Sequence, residues 1–202
     1  MKLILRGYID SHGFWIVLFI LCFVMQLTGL EDALRFDRQQ IEAGHYGLLL
    51  SAHLVHLNWG HLGLNMAGLI LLALFFNDYA PPLTWLLFTL FSALFTGLGL
   101  YLFNPELHFY VGLSGVLHGL FILGAGYESR RYKKSGLLLL LLIGGKLVWE
   151  QWSGALPGSE SLSGGHVVVD AHLYGAISGG VFLLLHQVIH VHNRHKDRHH
   201  DE

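Results

Sequence analysis

Four polar side chains interrupt apolar stretches of this 202-residue chain at spacings that suit chemistry. His61 and Asn65 are four residues apart, so on a helix they share one face and present two donors to one point. Ser114 supplies a hydroxyl and His172 an imidazole, the two groups that make a nucleophile and its general base. His118, four residues after Ser114, is a rival base on the same helix. It lies one turn, about 5 Å, deeper into the apolar run, where charging an imidazole costs more and water is scarcer. His172 is therefore the expected base, and His118 is expected to pack against the pair or hydrogen-bond with it. Gly115 and Gly119, and likewise Gly175 and Gly179, have the small-xxx-small spacing that lets two membrane helices approach backbone to backbone. Such a contact would carry hydroxyl toward imidazole. Leu at these glycines is expected to separate the helices, and Ala to be partly tolerated.

The elements that position these residues follow from composition. Apolar residues make up 53% of the chain and charged residues 13%, about half the charged share of a soluble domain, so lipid must cover much of the surface. A net charge of -2 gives no basic field for nucleic acid, and the single Cys22 allows neither an intrachain disulfide nor a thiolate-rich metal site. A bilayer core needs roughly 20 apolar helical residues to cross it. Six stretches are read as spans, at about 11–30, 61–76, 83–103, 111–127, 136–152 and 171–191. The fold class is therefore all-α, a polytopic six-helix membrane bundle forming a single domain over 1–202, with a His-rich tail at 192–202. The first stretch is read as a retained span, because no small-x-small cleavage site follows it. In the fifth, Lys146 and Glu150 sit one turn apart and read as a structural pair, while Trp149 and Trp152 read as interface anchors.

Nine of the twelve Lys and Arg fall before span one, between spans four and five, or after span six, which places both termini in the cytoplasm. Spans two, four and six then run inward, and His61, Asn65, Ser114 and His172 share one depth near the outer surface. Outside, 31–43 reads as an amphipathic surface helix, His45, His53 and His56 as residues that order the first loop, and the Gly- and Ser-rich 153–170 as a mobile flap.

Gly112-Leu113-Ser114-Gly115 and Ala171-His172-Leu173-Tyr174-Gly175-Ala176-Ile177-Ser178-Gly179 resemble the GxSG and AHxxGxxxG signatures of rhomboid intramembrane serine proteases. His56, His61 and Asn65 are similar to the family's His-rich entry into the second span, and the resemblance covers about 44–180. Rhomboids commonly carry a Trp-Arg pair before that span, where this chain has Gly47-Leu48; the departure bears on how the first outer loop is anchored, not on the chemistry. The resemblance implies a Ser114–His172 dyad without a third carboxylate, none being expected at that depth. It also implies oxyanion donors from His61, Asn65 and the backbone about Gly112 and Ser114. Neither a metal nor another cofactor is implied.

The run from Ser114 to Gly119, in a minimal six-span chain, is similar to the rhombosortase branch of bacterial rhomboids. That likeness implies substrates ending in a Gly-rich motif, one membrane span and a basic end. It implies residence in the bacterial inner membrane with the site open to the periplasm. The alternatives are a general rhomboid protease of single-pass proteins, a catalytically silent rhomboid-like scaffold and a His-rich metal or proton transporter. Intact Ser114 and His172 disfavour the scaffold; the lack of an inverted repeat and the scarcity of carboxylate ligands in the spans disfavour the transporter.

Overall fold

A computed structural model describes residues 2–200, with side chains from 12 to 185. The expectations placed on Lys2, Arg6 and the His-rich tail fall outside the described side chains. The chain is nearly all helical: α1 (Lys2–Thr28), α2 (Glu31–Leu34), α3 (Arg38–Glu42), α4 (Leu48–Ser51), α5 (Trp59–Phe76), α6 (Pro82–Phe103), α7 (Ser114–Arg131), α8 (Lys133–Ser153), α9 (Ser159–Ser163) and α10 (Val169–His200). A long helix overlaps most of each of the six stretches read as spans, although 29–30 lie beyond α1 and 111–113 precede α7. Two helical stretches, Trp59–Tyr79 and Pro82–Phe103, are long and apolar enough to cross a bilayer; His12–Thr28 and Val169–Leu185 are shorter apolar stretches.

Helix is the form that satisfies every backbone polar group within the segment where no water is at hand. The side chains are arranged to match. Leu87, Leu90, Leu138, Leu141 and Leu142 face outward from α6 and α8, each at least half exposed, while Ser92, Thr96 and Ser178 are fully buried. A surface of Leu around a partly polar interior suits a lipid solvent. The main core joins α1, α5, α6 and α7 through Trp15, Leu69, Leu72, Phe76, Trp85, Phe88, Leu120 and Leu123. The Trp15 indole N–H donates to Asn77 Oδ1 at 3.1 Å and ties α1 to the end of α5.

The loop between α1 and α5 departs from expectation. Residues 31–43 do not form one amphipathic helix, because Phe36–Asp37 (β1) is extended and pairs antiparallel with Phe109–Tyr110 (β2). Asp37 then caps α3, its carboxylate accepting from Gln40 N–H at 3.2 Å. Slight burial raises this carboxyl, but Gln40 bonds and the nearby Arg35 outweigh it and hold Asp37 below its ordinary value. Phe36, fully buried in a cluster with Ile41, Leu100 and the nearly buried Tyr110, pins the loop down; burying such a side chain stabilises by about 1.5–3 kcal/mol. Arg38 supplies the anchor that Gly47-Leu48 cannot. Its guanidinium donates to the carbonyls of Leu100, Tyr101, Asn104 and Leu107 at 2.9 to 3.2 Å, closing off the end of α6.

The 153–170 segment carries α9, which rests on the start of α5 where Gly60 lies against the Leu162 carbonyl. A side chain at Gly60 would displace it.

Candidate active site

Ser114 opens α7, and the turn before it is held from several sides. Gly112 has φ +119°, a conformation available to glycine with little strain. Its N–H donates to Ala52 O at 2.9 Å, and its carbonyl accepts the Tyr110 hydroxyl at 2.8 Å. The buried His53 ring bridges the same region, with Nδ1 3.3 Å from Gly112 O and Nε2 2.9 Å from Ala93 O. His53 thus orders the serine turn as well as its own loop.

His172 lies in the first turn of α10. Asn104, at the end of α6, donates to Asp170 at 2.5 Å and accepts from the Tyr174 hydroxyl at 2.9 Å, so residues on both sides of His172 are tied to one amide. The four expected glycines meet. A Cβ on Gly115 would stand 2.8 Å from Ala171 O, one on Gly119 2.6 Å from Gly175 O and one on Gly179 2.6 Å from Gly119 O; one on Gly175 would overlap Gly115 O. These neighbours are backbone and cannot rotate away. Even the single methyl group of Ala would require α7 and α10 to shift, which argues against the partial tolerance expected for it. With the helices in contact, Ser114 Oγ lies 2.9 Å from His172 Nε2.

The other face of the imidazole is occupied. His172 Nδ1 lies 2.9 Å from Glu150 Oε2, and Glu150 is 2% exposed. A carboxylate only accepts, so Nδ1 carries the ring proton and Nε2 is left with the lone pair that receives the Ser114 hydroxyl. The expectation that no carboxylate shares the site's depth is corrected here. The end of α8 and the start of α10 lie side by side, which brings together residues 22 apart in sequence. Lys146 and Glu150 do form the expected pair, at 2.6 Å, but the pair is not self-contained. Lys146 Nζ also donates to His118 Nε2 at 2.9 Å, and His118 Nδ1–H donates to Ser114 O at 2.7 Å. The His118 ring stacks on His172 with centroids 4.2 Å apart and planes 17° from parallel. His118, Glu150 and His172 offer three ligand atoms within 4.8 Å of one another; the Lys146 ammonium already stands as the cation between Glu150 and His118.

His61 and Asn65 approach the same turn from α5. Asn58 caps this helix, accepting from His61 N–H at 2.7 Å. His61 Nδ1 accepts the Leu57 N–H at 3.4 Å, a weak bond that leaves the ring proton on Nε2. That nitrogen faces Gly112, 2.7 Å from where a Cβ would stand, with Asn65 Nδ2 3.9 Å from the same point. One Asn65 N–H donates to His61 O at 3.1 Å and the other remains available. Behind His61, the buried His56 ring stands edge-on at 5.0 Å, and neither of its nitrogens is hydrogen-bonded.

Two cavities meet at Ser114 and His61. One, of about 270 Å³, lies beneath the loops that carry α2 and α9 and is lined by Glu31, Arg35, Tyr110 and His166. The other, of about 450 Å³, runs between α5 and α8 along Leu64, Gly68, Leu117, Phe121, Leu142 and Ile143. A hydroxyl with a base, two side-chain donors across from it, and approaches from both a polar and an apolar side could carry out acyl transfer on a chain arriving from lipid. Sequence motifs did not reveal Glu150, Asn104 or Arg38. Of these, Glu150 carried a signal, a carboxylate inside an apolar run, but its partner on α10 is set by packing alone.

The rhomboid domain model matches residues 43–187, well over half of the chain and all of the site. A search of curated proteins finds no match. On that domain match, the chain belongs to the rhomboid family of intramembrane serine proteases.

Proposed function

We propose that this protein is a rhombosortase-like intramembrane serine endopeptidase, which removes a Gly-rich C-terminal membrane tail from secreted or surface proteins. The observation that carries the catalytic part is the 2.9 Å contact between Ser114 Oγ and His172 Nε2, where the polar and apolar cavities join. A substrate helix enters from the bilayer along the cleft between α5 and α8. His172 Nε2 takes the Ser114 proton as Oγ attacks the scissile carbonyl. The tetrahedral oxyanion is held by His61 Nε2–H, the free Asn65 N–H and backbone N–H groups near Ser114. The imidazolium then protonates the leaving amine, and water from the outer cavity hydrolyses the acyl-enzyme with His172 again as base.

A helical substrate hides its scissile bond in its own hydrogen bonds, so glycines that weaken the helix at the outer surface favour cleavage. The Gly-rich tail fits that requirement, and the Ser114–Gly119 sequence supports this substrate class. Both termini lie in the cytoplasm of a six-span chain in the bacterial inner membrane, with the site open to the periplasm. The test is co-expression with two substrates, one ending in a Gly-rich motif, a span and a basic end, the other a general single-pass rhomboid substrate. Intact masses then locate any cut. Cleavage of the tailed substrate near its glycines, lost with Ser114→Ala, is the expected result. Cleavage of only the general substrate would replace this reading with that of a general rhomboid protease, and cleavage of neither would remove the protease reading.

A further inference from the structure

A buried carboxylate inside a membrane bundle is expensive to form, and an isolated i,i+4 pair would satisfy itself on one helix. Lys146 and Glu150 do more than that. One carboxylate oxygen, Oε1, takes the ammonium at 2.6 Å, while the other, Oε2, leaves the helix and accepts from His172 Nδ1 at 2.9 Å. The ammonium in turn leaves the helix to reach His118 Nε2 at 2.9 Å, and His118 is fixed by the carbonyl of the serine residue itself. Every link in this chain has one consistent proton arrangement: Lys146 donates to both partners, Glu150 accepts from both, and His118 donates at Nδ1 and accepts at Nε2. The arrangement ends at Ser114 on one side and at the base's remote nitrogen on the other.

We propose that Glu150 is a positioning residue that converts the Ser114–His172 pair into a triad, with Lys146 and His118 holding its carboxylate in place. This rests on the protease reading above. Glu150 fixes His172 in the tautomer with Nδ1 protonated and Nε2 free, and it balances the positive charge that the ring gains when it takes the serine proton. Glu150 itself stays ionised throughout; the only proton that moves passes from Ser114 Oγ to His172 Nε2 and on to the leaving amine. Lys146 keeps the carboxylate from carrying an unbalanced charge between turnovers, and it lines the largely apolar cleft between α5 and α8.

Glu150→Gln separates this role from that of a structural staple between α8 and α10. The amide has one acceptor, and the Lys146 ammonium competes for it. With oxygen turned to Lys146, the amide N–H₂ faces His172 Nδ1 and forces the proton onto Nε2, the tautomer that cannot accept from serine. The expected loss in kcat is about a hundredfold or more with KM within about threefold, and labelling of Ser114 by a serine-directed fluorophosphonate slows in parallel. Adding Lys146→Met frees the amide oxygen to turn toward His172, so the double variant is expected to recover about tenfold over Glu150→Gln alone.

A staple gives the opposite order, because the double variant has lost more contacts. Three results would overturn the proposal: full kcat in Glu150→Gln, no gain in the double variant, or loss of folded protein in both. In each of these cases a wild type that is cut off by Ser114→Ala leaves the protease reading standing, whereas a wild type that neither cleaves nor takes the label removes it.

Discussion

His118 lies flat on the ring that works, and its two nitrogens are both spoken for, by the Ser114 carbonyl and the Lys146 ammonium. It has no lone pair directed at the serine hydroxyl, so it cannot be the base in this arrangement. Phe at this position would keep the stacked surface and lose both hydrogen bonds. Turnover in His118→Phe is therefore expected to fall by about tenfold but to stay measurable, while Ser114→Ala and His172→Ala abolish it. Cleavage of one substrate by the three variants at matched membrane levels decides the matter, and an inactive His118→Phe beside an active His172→Ala would reverse the assignment. The sequence ranks these two histidines by depth, because depth along a helix can be counted from residue numbers, whereas the stacking of their rings depends on how α7 meets α10. The partner of Glu150 was not legible in it, since which helix faces the end of α8 depends on tertiary packing that no spacing within span five encodes.

At the scale of elements, α7 and α10 carry the site and the four glycines set their separation. The motif spacing announced that contact, but its tightness emerges only from the backbone. Carbonyls of Ala171, Gly175, Gly115 and Gly119 fill the places where Cβ atoms would stand. Gly115→Ala and Gly175→Ala are thus expected to destabilise the bundle by roughly 1–3 kcal/mol through overpacking and to lower kcat far more than KM. Thermal unfolding in detergent and steady-state kinetics measure the two effects. Wild-type kinetics in either variant would mean that the helix separation does not govern the serine–imidazole distance. The first loop shows the opposite balance of sequence and structure. Its alternation of charged and apolar residues suggested a helix, but Phe36 found a place in the core and Arg38 found four carbonyls, and together these outweighed local helical preference.

At the scale of the whole molecule, α7 links two opposite chemistries. Ser114 begins it, and Arg130 and Arg131 end it, directly before Lys133 and Lys134 at the start of α8. Eighteen residues at about 1.5 Å each separate the nucleophile from this basic turn by about 27 Å, close to the thickness of a bilayer's hydrocarbon core. In the proposed orientation basic turns stay on the cytoplasmic side, which puts the serine end of α7 outward. The same geometry puts Glu150 and the segment 153–170 at the outer end of α8. A reporter inserted within 153–170 is accordingly expected on the periplasmic side, and one fused after Glu202 in the cytoplasm. Paired phosphatase and fluorescent-protein fusions read the two sides independently. A cytoplasmic signal from the 153–170 insertion would invert α8 together with α7, and would put the serine on the side from which the proposed secreted substrates have already departed.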